Sequence, residues 1–239
     1  NIENFCENFA AYGLHQNGGF EEFVAVNRRN VYQINGLSDL EGAMVEPIGC
    51  VIHGLKQIDV RLGDHVLIFG SGPIGLLLMQ ACNIYGASNT TVVDVVKDKL
   101  DIAQKLGATN TVCADEEISD KLREMEAEGF HIVIDATGNP KVVERCFDYV
   151  RNKGQVLFFG VCPQKAKIQI SPYDVYKREL KISGTFALLH TARPAIDLLQ
   201  DKKIQVEPLI SHQFPLEEFK KAFDLKQDGE AMKIMITNK

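Results

Sequence analysis

The sequence predicts an α/β protein: a doubly wound parallel sheet inserted into a second, smaller domain made from the two ends of the chain. Three observations carry that expectation. Six apolar runs rich in Val, Ile and Phe alternate with helical patterns between residues 65 and 186. The first run leads into Gly70-Ser71-Gly72-Pro73-Ile74-Gly75, a G-x-G-x-x-G spacing placed between a strand and a helix. The flanks, by contrast, do not keep the alternation.

The strand candidates are HVLIFG (65–70), TTVVD (90–94), NTVCAD (110–115), HIVIDATG (131–138), GQVLFFG (154–160) and LKISGTF (180–186). Each is nearly continuously apolar, as strands covered on both faces are. Helical patterns lie between them at 73–85, 97–106, 117–128, 140–151 and 172–178. Asn139 before Pro140 suits an N-cap followed by proline in the first turn. Strict alternation of strand and helix requires parallel strands with crossover helices, and six strands is the size of a doubly wound nucleotide-binding unit. Before it, GGFEEFVAV and NVYQIN read as short strands without helices between them. After it come ARPAIDLLQ, EPLISHQF, LEEFKKAF and AMKIMIT, in the order helix, strand, helix, strand. The expected divisions are therefore 1–45, 46–186 and 187–239, the outer two forming one interrupted domain.

The glycine turn gains meaning from its context. Gly70 would permit the tight turn, Gly72 would let a pyrophosphate approach the backbone, and Gly75 would let helix and strand pack closely. Pro73 and Ile74 open the helix, whose unpaired N–H groups and dipole favour anions. An acid is needed at the end of the next strand, and Asp94 stands 19 residues after Gly75. A carboxylate there accepts the ribose hydroxyls of NAD and repels the 2′-phosphate of NADP; no arginine stands beside it to reverse that preference. Lys99 is near enough to reach the same ribose. The plainer alternative is a packing turn with Asp94 as a strand-end cap. Gly160, Val161 and Cys162 follow the fifth strand at the sheet edge where ligands bind, so their backbone suits the nicotinamide end, or simple core packing.

A net charge of −6 over 239 residues argues against a nucleic-acid surface. No apolar run reaches bilayer length, which argues against a membrane partner. The six cysteines, Cys6, Cys50, Cys82, Cys113, Cys146 and Cys162, contain no C-x-x-C pair and form no disulfide framework, which points to a cytoplasmic protein. Glu46, before Pro47, reads as an acid in a helix first turn or as a metal-site carboxylate. His53 on the same helix, and His190 and His212 in the C-terminal flank, lack a ligand pattern.

Taken in order, GGFEEFVAV, MVEPIGCVIHGL, GDHVLIFGSGPIG, VVDVVKDKL, KLGAT, DATG, NKGQVLFFG, LKISGTF, FPLEEFKKAFDL and MKIMI resemble the zinc-dependent medium-chain alcohol dehydrogenases along essentially the whole chain. Within that family the chain looks most like the polyol branch of sorbitol, threonine and sugar-alcohol dehydrogenases, because Glu46 stands where that branch has a glutamate. The resemblance implies a GroES-like catalytic domain around a Rossmann domain. It also implies a zinc ion that polarises a small-molecule alcohol, hydride transfer to NAD, and a homodimer or homotetramer formed through the edge strand LKISGTF. It places Glu46 at the catalytic zinc, Cys6 as the last cysteine of a structural zinc loop, and Phe186 at the nicotinamide end. The family's other zinc ligands lie upstream of Asn1, so the chain is expected to be the C-terminal portion of a longer dehydrogenase. Ala187 replaces an arginine of the sorbitol enzymes, which favours a different polyol. Two rival readings are a non-catalytic NAD-binding module that has shed the zinc chemistry and a zinc-free reductase of the quinone type; Asp94 speaks against the second.

Overall fold

A computed structural model describes residues 2–229 and 231–238. The chain divides into two compact units, Asn1–Gly49 with Ala187–Lys239, and Cys50–Phe186. The first boundary falls inside a helix rather than in a linker. Helix α1 (Asp39–Gly42) is opened by a capping box in which Ser38 and Glu41 satisfy each other's backbone N–H groups. Helix α2 (Val45–Leu55) follows, burying Ile48, Val51, Ile52 and Leu55.

The unit Cys50–Phe186 contains β1 (His65–Phe69), α3 (Pro73–Tyr85), β2 (Asn89–Asp94), α4 (Lys97–Lys105), β3 (Asn110–Cys113), α5 (Ile118–Met125), β4 (Phe130–Asp135), α6 (Pro140–Tyr149), β5 (Val150–Phe158), α7 (Pro172–Lys177) and β6 (Lys181–Gly184). The six strands form one sheet in the order β3-β2-β1-β4-β5-β6. Every neighbouring pair is parallel. That is the doubly wound order of a Rossmann fold, whose strand order reverses between β1 and β4. Leu67, Phe69, Val133 and Val156 pack on one face with Leu122, Cys146 and Tyr149. Val66, Ile68, Ile132 and Ile134 point to the other face and are equally buried. Each such side chain contributes about 1.5–3 kcal/mol by leaving water, which is why these strands tolerate no polar alternation.

The other unit contains α8 (Ala192–Gln200), β7 (Ile210–Pro215), α9 (Phe219–Gln227) and β8 (Lys233–Thr237), with β7 and β8 paired in parallel. This matches the order expected for that flank. The N-terminal flank departs from expectation. GGFEEFVAV and NVYQIN are not strands; among the described residues before α1 there are two short 3-10 turns and one isolated bridge, Tyr12 with Gln16. A strand is defined by its pairing partner, and these β-prone residues find none; Phe23, Val24, Val26, Val31 and Tyr32 are exposed. No helix among the described residues is long and apolar enough to cross a membrane.

Candidate functional site: a dinucleotide cleft at the C-terminal ends of the strands

β1 ends at Phe69, and Gly70 turns the chain with φ +104, a conformation that favours glycine. The turn is fixed to the next strand by a 2.7 Å bond from the Gly70 N–H to the Val93 carbonyl. α3 then starts at Pro73 with Gly72 at its N-cap, so no side chain takes up the N–H groups of its first turn. Gly75 is the tightest point: a Cβ there would lie 1.8 Å from the Gly70 carbonyl oxygen. At Gly72 nothing lies within 4 Å of such a Cβ. The first and third glycines thus serve packing and turn geometry, while the second faces open space that a phosphate can enter.

Two further observations fit a bound dinucleotide. Ser71 is fully buried, and its Oγ has no hydrogen-bond partner, a donor that an incoming phosphate oxygen would satisfy. A cleft of about 380 Å³ opens beside it, lined by Gly70, Gly72, Asp94, Val95, Thr137 and Asn139 among others. It sits outside the carboxyl ends of β1, β2 and β4, where ligands bind in doubly wound sheets.

Asp94 is both a structural cap and an available acceptor. Its Oδ2 accepts the Ser71 N–H at 2.7 Å and its Oδ1 accepts the Val96 N–H at 2.9 Å. A carboxylate offers about four lone-pair sites, so two bonds hold the group in place and leave acceptor capacity toward the cleft. The strand-cap and ribose readings are therefore compatible. Lys99 is half-buried in the first turn of α4 and is not part of the cleft lining.

The nicotinamide-end candidates converge in part. Asp135, fully buried at the end of β4, accepts from the Thr137 N–H at 3.0 Å, the Thr137 hydroxyl at 2.6 Å and the Gly138 N–H at 3.1 Å. Its carbonyl accepts from the N–H groups of Phe159 and Gly160. A Cβ at Gly160 would fall 2.1 Å from the Gly138 nitrogen, and one at Gly138 would fall 2.5 Å from the Val161 carbonyl oxygen. Gly160 and Val161 are thus clasped against the β4–α6 turn, with the Val161 side chain 93% exposed. Phe186 lies two residues past β6, half-exposed. Sequence reading did not single out Asp135, Thr137 or Gly138; the signal was the D-A-T-G that ends an apolar strand.

The metal candidates are not brought together. Glu46 is exposed in the first turn of α2, and Cys6 is an exposed free cysteine. Among the described residues no group of three or more His, Cys, Asp or Glu could hold a metal ion. Burial lowers the pKa of His53, with Lys56 adding to the effect. His190 pairs with Glu3 at 3.3 Å, and His212 stacks on Phe214. Burial pushes the Cys82 thiol up to about 12, as befits a core residue.

Comparison with known proteins agrees with this geometry. Residues 73–201 match the family model described as zinc-binding dehydrogenase. The chain is 33% identical over 242 residues to D-arabinitol dehydrogenase 1 of Uromyces fabae, covering 97% of this chain and 68% of that enzyme. It is 33% identical over 238 residues to D-altritol 5-dehydrogenase of Agrobacterium fabrum, covering 98% and 69%. A solved structure from Sinorhizobium meliloti 1021, assigned to the zinc-binding dehydrogenases and bound to NADP, superposes with a TM-score of 0.90 at 31% identity, covering 98% of this chain and 70% of that one.

Proposed function

The chain belongs to the zinc-binding dehydrogenase family, and from that premise we propose that it serves the NAD-dependent oxidation of a secondary alcohol, a polyol or sugar alcohol, to the ketone. The observation that carries the reading is the Asp94 carboxylate, fixed by two backbone N–H groups at the rim of the glycine-turn cleft. The polyol class rests on the relatives, two of which are named for D-arabinitol and D-altritol.

In this reading Gly72, Pro73 and Ile74 face the pyrophosphate. The α3 N-terminus contributes about 0.3–1 kcal/mol toward the anion through its dipole, and the backbone N–H groups add direct bonds. The remaining lone pairs of Asp94 accept the adenosine ribose hydroxyls, with Lys99 alongside. A 2′-phosphate would bring a second anion against this fixed carboxylate, an unfavourable like-charge contact, so NAD is preferred over NADP. Gly160, Val161 and Phe186 bound the nicotinamide end, and Asp135 holds the Gly160 backbone in place. When bound, the nicotinamide ring accepts the hydride removed from the alcohol carbon.

Glu46 is assigned to the catalytic metal site and Cys6 to a structural one. One glutamate does not hold an ion, and the described residues supply no cluster around either residue, so no step here passes through zinc. A homodimer or homotetramer formed through β6, which lies at the edge of the sheet, belongs to the same reading.

The test is a panel of pentitols and hexitols assayed with NAD and with NADP. Reduction of NAD by at least one polyol, with NADP slower, supports the proposal. NADH binding without turnover on any polyol would favour the binding-module reading, and preference for NADP would overturn the role of Asp94.

A further inference from the structure

The opposite end of the same strands carries a second cavity, of about 350 Å³, that the dinucleotide does not use. Its walls come from the loop before β1, the start of β4, the first half of β5 and the start of β6. Four permanent cations and three carboxylates line it. Most of these cancel in pairs. Arg61 is held by Asp59, with Nε to Oδ2 at 2.8 Å, and Lys153 lies 3.3 Å from Glu179. Asp64 accepts the Arg61 N–H at 2.8 Å and lies 3.8 Å from His131.

Two cations remain. Neither Arg151 nor Lys181 makes a side-chain hydrogen bond or ion pair among the described residues, and the Nε of Arg151 is buried without a partner. A buried donor left unsatisfied costs about 1–3 kcal/mol, more on a charged group. His131 looks into the same space: burial, and then the Arg151 charge, hold its pKa low. An unanswered guanidinium beside a neutral imidazole and a free ammonium is an arrangement that an anion would complete.

The cavity is a built feature of the backbone. Between the pairs Phe130–Val150 and Ile132–Gln155, one residue of β4, His131, is opposed by four of β5. The resulting bulge holds Lys153 at φ +59, a conformation that is costly for a residue with a Cβ. It also requires two glycines. A Cβ at Gly154 would fall 2.5 Å from Val150 Cγ2, and one at Gly129 would fall 2.7 Å from the Tyr149 carbonyl oxygen. Gln155, at the end of the bulge, bonds both the N–H and the carbonyl of Asp59 at 3.0 Å and so ties the cavity's outer loop down.

We propose that this cavity binds a phosphate-class anion, free phosphate or a small phosphate monoester, through Arg151 and Lys181. A guanidinium matches the bidentate geometry of a phosphate, and a space of this size holds a phosphate with a short organic group. The site is separate from the α3 N-terminus, lying at the starting ends of β4, β5 and β6 rather than beyond the finishing ends of β1 and β2.

The experiment is calorimetric titration of the full chain, saturated with NADH to occupy the α3 N-terminus, with inorganic phosphate and then with glycerol phosphate at matched chloride. The expected result is one saturable site. Arg151→Gln and Lys181→Gln should each weaken it about tenfold or more, while Lys105→Gln, on the exposed face of α4, should leave it unchanged. Tighter binding of glycerol phosphate marks a monoester as the ligand, and equal binding marks free phosphate. No saturable binding, or an equal loss in all three variants, would overturn the proposal. Should Arg151→Gln fail to fold, exposed Lys181 still decides the matter. Should NADH itself fail to bind, the same titration without it still tests this cavity, because Arg151 and Lys181 take no part in the glycine turn.

Discussion

The two ends of the six-stranded sheet are built in different ways. At the finishing ends the shape is made by backbone: Gly75, Gly138 and Gly160 allow approaches that a Cβ would block, Gly70 turns at φ +104, and Asp94 and Asp135 are bound by N–H groups of the glycine turn and of the turns that follow β2 and β4. At the starting ends the backbone also shapes the cavity, through Gly129 and Gly154, but its character comes from side chains, His65 with Glu126, Asp64 with His131, and Arg151 and Lys181, unpaired among the described residues. The lesson is one of tolerance. The glycine-built shapes at both ends admit no substitute, whereas the charges that line the starting ends change by degrees as their residues change.

That difference can be broken most forcefully at Asp135. Asp135→Ala removes one buried acceptor and strands three donors in the β4–α6 turn. Urea denaturation should show a loss of about 3 kcal/mol or more, since each stranded donor costs about 1–3; a loss below about 1 kcal/mol would mean that water replaces the carboxylate. Next come the paired glycines. Gly75→Ala drives a methyl into the Gly70 carbonyl and should destabilise by about 1–3 kcal/mol while abolishing NADH binding. Gly72→Ala meets open space at φ −68, so it should fold normally and lose NADH affinity alone. Equal unfolding of the two would undo the division of roles within the turn.

A smaller effect is expected at Asp94. Asp94→Ala should narrow the preference for NADH over NADPH by about tenfold, or about 1.4 kcal/mol, as seen in competitive binding; parallel loss of both cofactors would leave only the structural cap. The smallest effect belongs to the starting ends. Burial lowers the His131 pKa in the folded chain, Arg151 and His65 lower it further, and Asp64 and Glu126 oppose them. The unfolded chain therefore binds the proton first, and stability should fall as pH drops below about 6.5. In His131→Gln the slope of Tm against pH between about 7 and 5.5 should be shallower; an unchanged slope would show that His131 does not titrate differently on folding.

Much of the fold was legible because two-face burial leaves a plain mark. Val66, Leu67, Ile68 and Phe69 are consecutive and all buried, and such a run reads as a central parallel strand. The glycine turn was legible too, because a strand followed at once by Gly70 and Gly75 and then a helix asks for the φ +104 turn and the close packing that the structure has there. The start of β5 was not. The run was expected to begin at Gly154, whereas the strand begins at Val150, because the polar Arg151, Asn152 and Lys153 of the bulge interrupt the apolar pattern. The 1–45 flank was misread as short strands because β-propensity describes a surface that fits a sheet and not the presence of a partner. Asp135 was passed over because an acid inside an apolar run shows its importance through the turn it ties, and a turn is not a pattern of residue types.

The most direct test of the central claim is cofactor binding. The chain has no tryptophan, so the fluorescence of NADH itself reports the titration without protein background. The dinucleotide cleft predicts saturable enhancement by NADH, weaker binding of NADPH, and loss of that difference in Asp94→Ala. Absence of saturable NADH binding by the folded wild-type chain, or an unaltered NADH preference in Asp94→Ala, would contradict it.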